Sequence, residues 1–221
     1  MSTSEAVQPP AENRPLSPVR TPPRGGGFLR RAEFVNLYYS AEGMLETGAP
    51  RIFQLVSSTS GEGTSTIARE LAAAVAETVG RRVLLLRIAP RGGSPLFSLD
   101  AVLRGAIPLR AAITKPVGGA HFTAGLWAPD QPSARLLDTQ VVRELFERLL
   151  SLVEVIIIDA PAALTEFAGL ALVRQVAGII LVVEAERTQA ATVDRAKRLI
   201  EVNGGRILGL VLNKSRRHLP G

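Results

Sequence analysis

The chain has 221 residues and a formal net charge of +6, from 26 basic against 20 acidic residues. The excess lies in residues 1–32 and 214–221, which each carry +3, whereas residues 33–213 are neutral, so we do not expect a nucleic acid as partner. With no cysteine, two histidines and no uncharged apolar run of about 18 residues, the sequence argues against disulfides, Cys- or His-rich metal sites and a membrane span.

Residues 1–27 are rich in Pro, Ser, Glu and Gly and are predicted to form a disordered arm. A helix is expected over residues 28–45, where apolar residues recur at helical spacing. Strands and helices alternate from there onward. The predicted strands are 52–56, 83–88, 121–126, 153–158, 178–183 and 207–212, and the predicted helices among them are 64–79, 96–103, 139–152, 165–173 and 188–202.

These strands are continuous aliphatic runs, as expected where helices cover both faces of a sheet. The pattern predicts a three-layer α/β domain over residues 28–215, with a mostly parallel central sheet, followed by a short basic tail, 216–221. Ligands of such sheets bind at the carboxyl ends of the strands. The first 30 residues lack the apolar segment of a secretory signal, so we expect a cytoplasmic protein.

One turn has the setting of a phosphate-binding loop. Residues 57–66 connect the first predicted core strand to a long helix, where backbone amides and a helix N-terminus can cradle phosphates. Measured against G-x-x-x-x-G-K-[ST], this segment keeps Gly63 and Ser65 but has Ser58 for the first glycine and Thr64 for the lysine. Taken alone, a Gly- and Ser-rich turn of this kind is more often ordinary turn chemistry.

Four segments in chain order give the sequence a family resemblance. Residues 57–66, 155–161, 177–188 and 209–213 resemble the cytoplasmic domain of bacterial tyrosine kinases (BY-kinases) of capsule and exopolysaccharide synthesis. These kinases belong to the deviant-Walker P-loop group that includes ParA and MinD, so the resemblance implies a P-loop NTPase fold that binds ATP or ADP with Mg²⁺. It makes Ser65 and Asp159 the metal-binding candidates. The nucleotide-binding candidates are Ser60, Gly61, Glu62, Gly63, Thr64, Ser65, Thr66 and Asn213.

The departures from the family pattern fall on catalytic positions. Thr64 occupies the position of the family's loop lysine. The acidic motif D-x-D-x-R has Arg87 and Ala89 in place of its two carboxylates, so Asp159 is the acidic residue of the family's catalytic motifs that remains. The C-terminal tyrosine cluster is absent, since the two tyrosines are Tyr38 and Tyr39. Losing one preorganised electrostatic donor commonly costs about 100- to 1,000-fold in rate. We therefore assign no catalytic residue and expect that kinase chemistry has been abandoned.

Arg87 has three possible roles at the sequence level. Its guanidinium contacts phosphate in place of the lysine, or it pairs with Asp159 and blocks the metal site, or it is turned to solvent.

The predicted helix 28–45 is the candidate interaction element. The family's oligomer-forming E-x-x-R-x-x-R keeps Glu33 here and loses both arginines. Glu33, Asn36, Leu37 and Tyr38 are candidates for docking or homo-oligomer contacts, although Leu37 and Tyr38 are equally consistent with core packing. By resemblance, the partner is the cytoplasmic segment of a membrane polysaccharide co-polymerase, which would hold the protein peripherally at the inner membrane.

Two other functions are open at this stage. One is an active ATP-dependent tyrosine kinase or ATPase with an atypical loop. The other is a ParA- or MinD-like positioning ATPase, although such proteins have a lysine in the opening of the loop, where this chain has Thr59.

Overall fold

The computed structural model describes residues 19–20, 27–88, 99–126 and 138–215, with side chains from residue 31 onward. Helices and strands alternate along the chain. In order they are β1 (Val19–Arg20), α1 (Gly27–Glu42), β2 (Ile52–Ser57), α2 (Thr64–Ala74), β3 (Val83–Arg87), α3 (Leu99–Leu103), β4 (Phe122–Gly125), α4 (Thr139–Leu150), β5 (Val155–Asp159), β6 (Gly178–Glu184), α5 (Ala190–Val202) and β7 (Ile207–Asn213). A single π-helical turn, Val75–Val79, continues α2.

The strands form one sheet in the order β1-β7-β6-β2-β5-β3-β4, and all of its strand pairs are parallel. Helices α1 and α2 pack on one face of the sheet, and α3, α4 and α5 pack on the other. The predicted three-layer α/β fold is therefore confirmed. No helix in the described ranges is long and apolar enough to cross a bilayer.

Strand β2 shows why the aliphatic runs form buried central strands. Ile52 and Val56 belong to the core under α3–α5, and Phe53 and Leu55 belong to the core under α1 and α2. Successive side chains of a strand point to opposite faces, so a strand between two helical layers must be apolar at nearly every position. Gln54 is the polar exception, and its Nε2 donates to the Gly169 carbonyl at 2.7 Å.

The helix predicted over residues 165–173 is wrong, because this segment forms turns with a short 3-10 helix at Phe167–Gly169. The backbone of Gly169 lies close to the turn that follows β5, and a Cβ on Gly169 would be 2.5 Å from the Pro161 carbonyl oxygen. The bond from Gln54 also uses the Gly169 carbonyl. These tertiary contacts replace the regular helical hydrogen bonds that the apolar spacing suggested.

The predicted disordered arm contains a short strand, because Val19–Arg20 pairs in parallel with Val211 and Leu212 of β7. Residues 1–18, 21–26 and the predicted tail 216–221 lie outside the described residues.

Strands β2, β3 and β5 are neighbours near the middle of the sheet and run in the same direction. Their carboxyl ends therefore lie together at one edge, where they place Ser57, Arg87 and Asp159 side by side. The candidate loop leaves β2 at this edge and leads into α2.

Candidate functional site

The loop after β2 is shaped by two glycines with positive φ, Gly61 at 89° and Gly63 at 96°. Gly63 precedes the first residue of α2, and its carbonyl accepts the first helical bonds from the amides of Thr66 and Ile67. Gly63 is also packed closely, since a Cβ there would lie 2.1 Å from Nδ2 of Asn213. Only glycine meets both conditions, which explains why this position of the motif is kept.

A cleft of about 570 Å³ opens over the loop and the N-terminus of α2. The partial positive charge of a helix N-terminus favours anions there. The cleft is lined by Ser57, Ser60, Gly61, Gly63, Thr64, Ser65, Thr66, Arg69, Arg87, Ile88, Asp159, Ala160, Pro161, Ala162 and Glu166.

Glu62 stabilises the loop through hydrogen bonds to its carboxylate. Its side chain is buried, and its carboxylate accepts hydrogen bonds from the Thr59 amide at 2.9 Å, from the Glu184 amide at 3.4 Å and from the Thr188 hydroxyl. These bonds join the loop to the end of β6 and to the segment before α5. The loop conformation is thus supported by the protein's own side chains.

The end of β7 is fastened to the same loop. Asn213 donates from Nδ2 to the Glu62 carbonyl at 2.8 Å, and Lys214 donates from Nζ to the Gly61 carbonyl at 2.8 Å and to Glu184 at 3.0 Å. Sequence reasoning missed Thr188 and Lys214 as members of the site. The one available indication was that Thr188 closes the motif segment 177–188 and that Lys214 follows directly on the segment 209–213.

Ser65 and Asp159, the two metal-binding candidates, lie together. The Ser65 hydroxyl donates to Oδ1 of Asp159 at 3.1 Å. Burial of Asp159 raises the pKa of its carboxyl, although the bond from Ser65 and the positive charges of Arg87 and Arg69 act in the opposite direction. Desolvation disfavours the charged form of the carboxyl, so this burial outweighs its positive neighbours.

The Ser65–Asp159 pair offers Mg²⁺ one hydroxyl and one carboxylate, so phosphate and water oxygens would have to complete its octahedral shell. The described ranges contain no group of three or more His, Cys, Asp or Glu side chains that could hold a metal. A guanidinium on the neighbouring strand adds a positive charge that opposes a divalent cation.

Arg87 is the register partner of Asp159 across β3 and β5. Within the described part of the chain no ion pair shorter than 4.0 Å joins the two residues, so the direct blocking pair is not formed. Arg87 is half-buried, lines the cleft and has a buried Nε without a hydrogen-bond partner. Arg87 therefore lies at the cleft wall, partly accessible from the cleft.

Thr64, which replaces the family lysine, is 7% exposed and also lines the cleft. Its Oγ1 is buried and has no hydrogen-bond partner. Thr64 and Arg87 thus both line the cleft, and each has a buried polar atom without a protein partner.

The structure brings most of the predicted site residues to this cleft, while Glu62 and Asn213 support the loop from behind. Ala89 lies outside the described residues. The predicted interaction role of Leu37 and Tyr38 needs correction, because both side chains are buried in the core with α2 and β2. Asn36 is exposed and Glu33 is partly buried on α1, away from the cleft.

Comparison with curated proteins finds a kinase relative. The chain is 36% identical over 93 residues to the putative tyrosine-protein kinase CapB of Staphylococcus aureus. The match covers 42% of this chain and 40% of that protein, so it spans less than half the length of the relative. No family model matches the sequence.

Solved structures share the fold. The kinase domain of the Escherichia coli tyrosine kinase ETK superposes with a TM-score of 0.71 at 23% identity, covering 86% of this chain and 78% of that one. The cobyrinic acid a,c-diamide synthase of Mycobacterium smegmatis, solved with an ATP analog and magnesium, has a TM-score of 0.57 at 22% identity, covering 74% and 70%. The chain therefore has a P-loop NTPase fold, and its predicted resemblance to BY-kinases is confirmed.

Proposed function

We propose that this chain is a BY-kinase-like regulatory protein of capsule or exopolysaccharide synthesis whose P-loop cleft no longer transfers phosphoryl groups. The observation that carries the proposal is the chemistry of the cleft, where Thr64 replaces the lysine of the resembled motif and Arg87 replaces a carboxylate. The loop around them keeps its shape through Glu62, Asn213 and Lys214. A preserved scaffold with altered reacting groups supports a binding role rather than a catalytic one.

Phosphoryl transfer depends on positioning and on electrostatic stabilisation of the transferred group. In the resembled kinases, Mg²⁺ would supply positive charge to the phosphates, with Ser65 and Asp159 as the positions to hold it here. The second position of the acidic motif is Ala89, which offers no proton acceptor. Each lost donor or acceptor commonly lowers a rate by about 100- to 1,000-fold, so the combined loss leaves little transfer activity.

The tyrosines offer a second argument. Tyr38 is 1% exposed and donates its hydroxyl to Glu42 at 2.9 Å, so it cannot meet a phosphoryl donor in the folded protein. Tyr39 is 53% exposed and is the sole tyrosine besides Tyr38. Autophosphorylation would therefore have to occur at Tyr39 alone.

By the same resemblance, the partner is a membrane polysaccharide co-polymerase, bound through its cytoplasmic segment, and the protein acts peripherally at the inner membrane. Glu33 and Asn36 on α1 are the remaining candidates for this contact or for a homo-oligomer contact.

The proposal is tested by incubating the purified full chain with ATP and Mg²⁺ and measuring phosphotyrosine, beside S. aureus CapB under the same conditions. We expect no phosphotyrosine in the wild type, and none in a Tyr38→Phe/Tyr39→Phe control. Phosphotyrosine in the wild type that disappears in Tyr39→Phe would overturn the proposal. Co-purification with the co-polymerase segment tests the partner, with Asn36→Ala as the variant.

A residual ATPase is the second candidate, favoured by the retained Ser65–Asp159 hydrogen bond. Phosphate release from ATP that is lost in Asp159→Asn would support this activity. A ParA- or MinD-like role is not favoured, because the loop opening has Thr59, whose amide is bonded to Glu62.

A further inference from the structure

We infer that the cleft binds the di- or triphosphate of a nucleotide without a metal ion, with the Arg87 guanidinium serving in place of both Mg²⁺ and the loop lysine. This inference rests on the proposed function, because a site that no longer transfers phosphoryl groups has no need of the metal. It assigns to Arg87 a binding role that the resembled motif, with a carboxylate at this position, does not have.

The first observation is the state of the Arg87 side chain. Its Nε is buried at the cleft wall without a hydrogen-bond partner. A buried donor left unpaired costs free energy, and a charged donor costs more than a neutral one. An anion in the cleft would be attracted to this side chain, and a guanidinium is suited to phosphate because it donates in a planar fork.

The second observation is independent and concerns Thr64, which lines the same cleft. Thr64 is more than nine-tenths buried, and its Oγ1 has no partner although it lies at the first residue of α2. α2 is an 11-residue helix whose N-terminus opens into the cleft. Thr64 at the N-terminus of α2 and Arg87 at the end of β3 therefore both line the cleft, and each has a buried polar atom without a partner.

The placement of the charges around the cleft, rather than their sum, favours an anion without a metal. Arg69 and Arg87 stand against the carboxyl groups of Asp159 and Glu166, so the formal charges of the lining balance. The Ser65 hydroxyl is already bonded to Asp159, and Arg87 lies on the adjacent strand in register with it. A divalent cation bound at Asp159 would be repelled by this guanidinium, whereas phosphate oxygens would be attracted to it.

The ligand class follows from the loop and from the size of the cleft. A volume of about 570 Å³ over a phosphate-loop backbone accommodates a diphosphate or triphosphate group. Such a group comes from a nucleotide or from free pyrophosphate or tripolyphosphate, which share this chemistry. The experiment must therefore compare these sources directly.

Calorimetry on the full chain with ATP, ADP, pyrophosphate and tripolyphosphate, each in EDTA and in Mg²⁺, tests the inference without any variant. We expect ATP and ADP to bind in EDTA, with affinities that Mg²⁺ changes by no more than about twofold. Nucleotides are expected to bind more tightly than the inorganic anions. Equal affinity for tripolyphosphate and ATP would overturn the nucleotide assignment, and a tenfold or larger gain with Mg²⁺ would overturn the metal-free site.

Variants identify the responsible cation. Arg87→Ala is expected to weaken ATP binding in EDTA by about 10- to 100-fold, since hydrogen bonds to charged groups are of that strength. Arg87→Lys should retain part of the affinity, and Arg87→Asp should make binding dependent on Mg²⁺. The matched control is Arg82→Ala, at the opposite end of β3, where the side chain is 63% exposed and pairs with Glu154. Unchanged or tighter ATP binding by folded Arg87→Ala contradicts the inference.

The failures of the two proposals are distinguishable. Absence of any ATP or ADP binding in both buffers overturns the metal-free site but leaves a non-catalytic partner protein intact. Phosphotyrosine formation overturns the proposed function whatever the binding experiments give.

Discussion

Glu62 in the loop accepts a hydrogen bond from the hydroxyl of Thr188, 126 positions further along the chain. The same carboxylate accepts bonds from the amides of Thr59 and Glu184. A loop that in this fold would surround phosphates is thus held in shape by a buried carboxylate of its own. The bond also connects the loop to the segment that leads into α5.

We therefore expect Glu62→Ala to lower the free energy of unfolding by about 1–3 kcal/mol, because it leaves the partly buried Thr59 amide and Thr188 hydroxyl without an acceptor. Urea denaturation measures the loss. Glu70→Ala on the exposed side of α2 is the control and should change stability by no more than about 0.5 kcal/mol. Equal stabilities of the two variants would show that the Glu62 bonds do not hold the loop.

Alanine substitutions at Gly63 and Gly80 distinguish the cost of backbone strain from the cost of a steric clash. Gly63 and Gly80 both have positive φ, at 96° and 75°, so an alanine at either site is strained by about 1–2 kcal/mol. A Cβ at Gly80 meets nothing within 4 Å, whereas one at Gly63 would lie 2.1 Å from Nδ2 of Asn213 and would displace its bond to the Glu62 carbonyl. Gly63→Ala should therefore destabilise the protein by about 1 kcal/mol more than Gly80→Ala. Thermal or urea unfolding of both variants decides this, and equal losses would contradict the packing argument.

The fold was predictable from sequence because the strands are buried on both faces. Such strands are apolar throughout, as in β5, and their ends coincide with the loop and with Asp159. The segment 165–173 was not predictable in the same way, since its conformation depends on the packing of Gly169 against Pro161 and on a hydrogen bond from Gln54, which lies 115 positions away in the chain.

Within the site, the motif positions were predictable and their connections were not. Nothing in a one-dimensional pattern shows that Lys214 reaches the Gly61 carbonyl or that Thr188 reaches Glu62. The role of Arg87 also could not be chosen from the sequence. The register of β3 and β5 places Arg87 beside Asp159, but among the described residues no ion pair joins the two. Leu37 and Tyr38 were ambiguous because an apolar helix face fits a partner and a core equally well.

Acid sensitivity is expected from Glu42, the last residue of α1. Burial raises the pKa of its carboxyl, but hydrogen bonds from Arg51 and Tyr38 outweigh burial and hold the pKa below its ordinary value of 4.5. An acid with a depressed folded pKa stabilises the fold above its unfolded pKa, and this contribution disappears as the pH falls through the folded value.

The stability advantage of wild type over Glu42→Gln should therefore be largest at neutral pH and should shrink as the pH falls from 4.5. Denaturation at a series of pH values measures it, with exposed Glu46→Gln as the control. An advantage that stays constant down to the acid limit of folding would contradict the assigned bonds.

Asp159 should show the opposite pH dependence. Burial raises the pKa of this carboxyl above its ordinary value of 3.8, despite the Ser65 bond and the charges of Arg87 and Arg69. An acid with a raised folded pKa favours the fold in its protonated form, so its contribution is present below pH 3.8 and is lost as the pH rises through the folded value. Asn has nearly the same shape, can still accept from Ser65 and does not ionise. Asp159→Asn should therefore gain stability relative to wild type as the pH rises from 3.8 to neutrality, measured by denaturation with the two proteins side by side. A variant that loses stability relative to wild type over this range would mean that the ionised carboxylate is stabilised by its positive neighbours more strongly than it is penalised by burial.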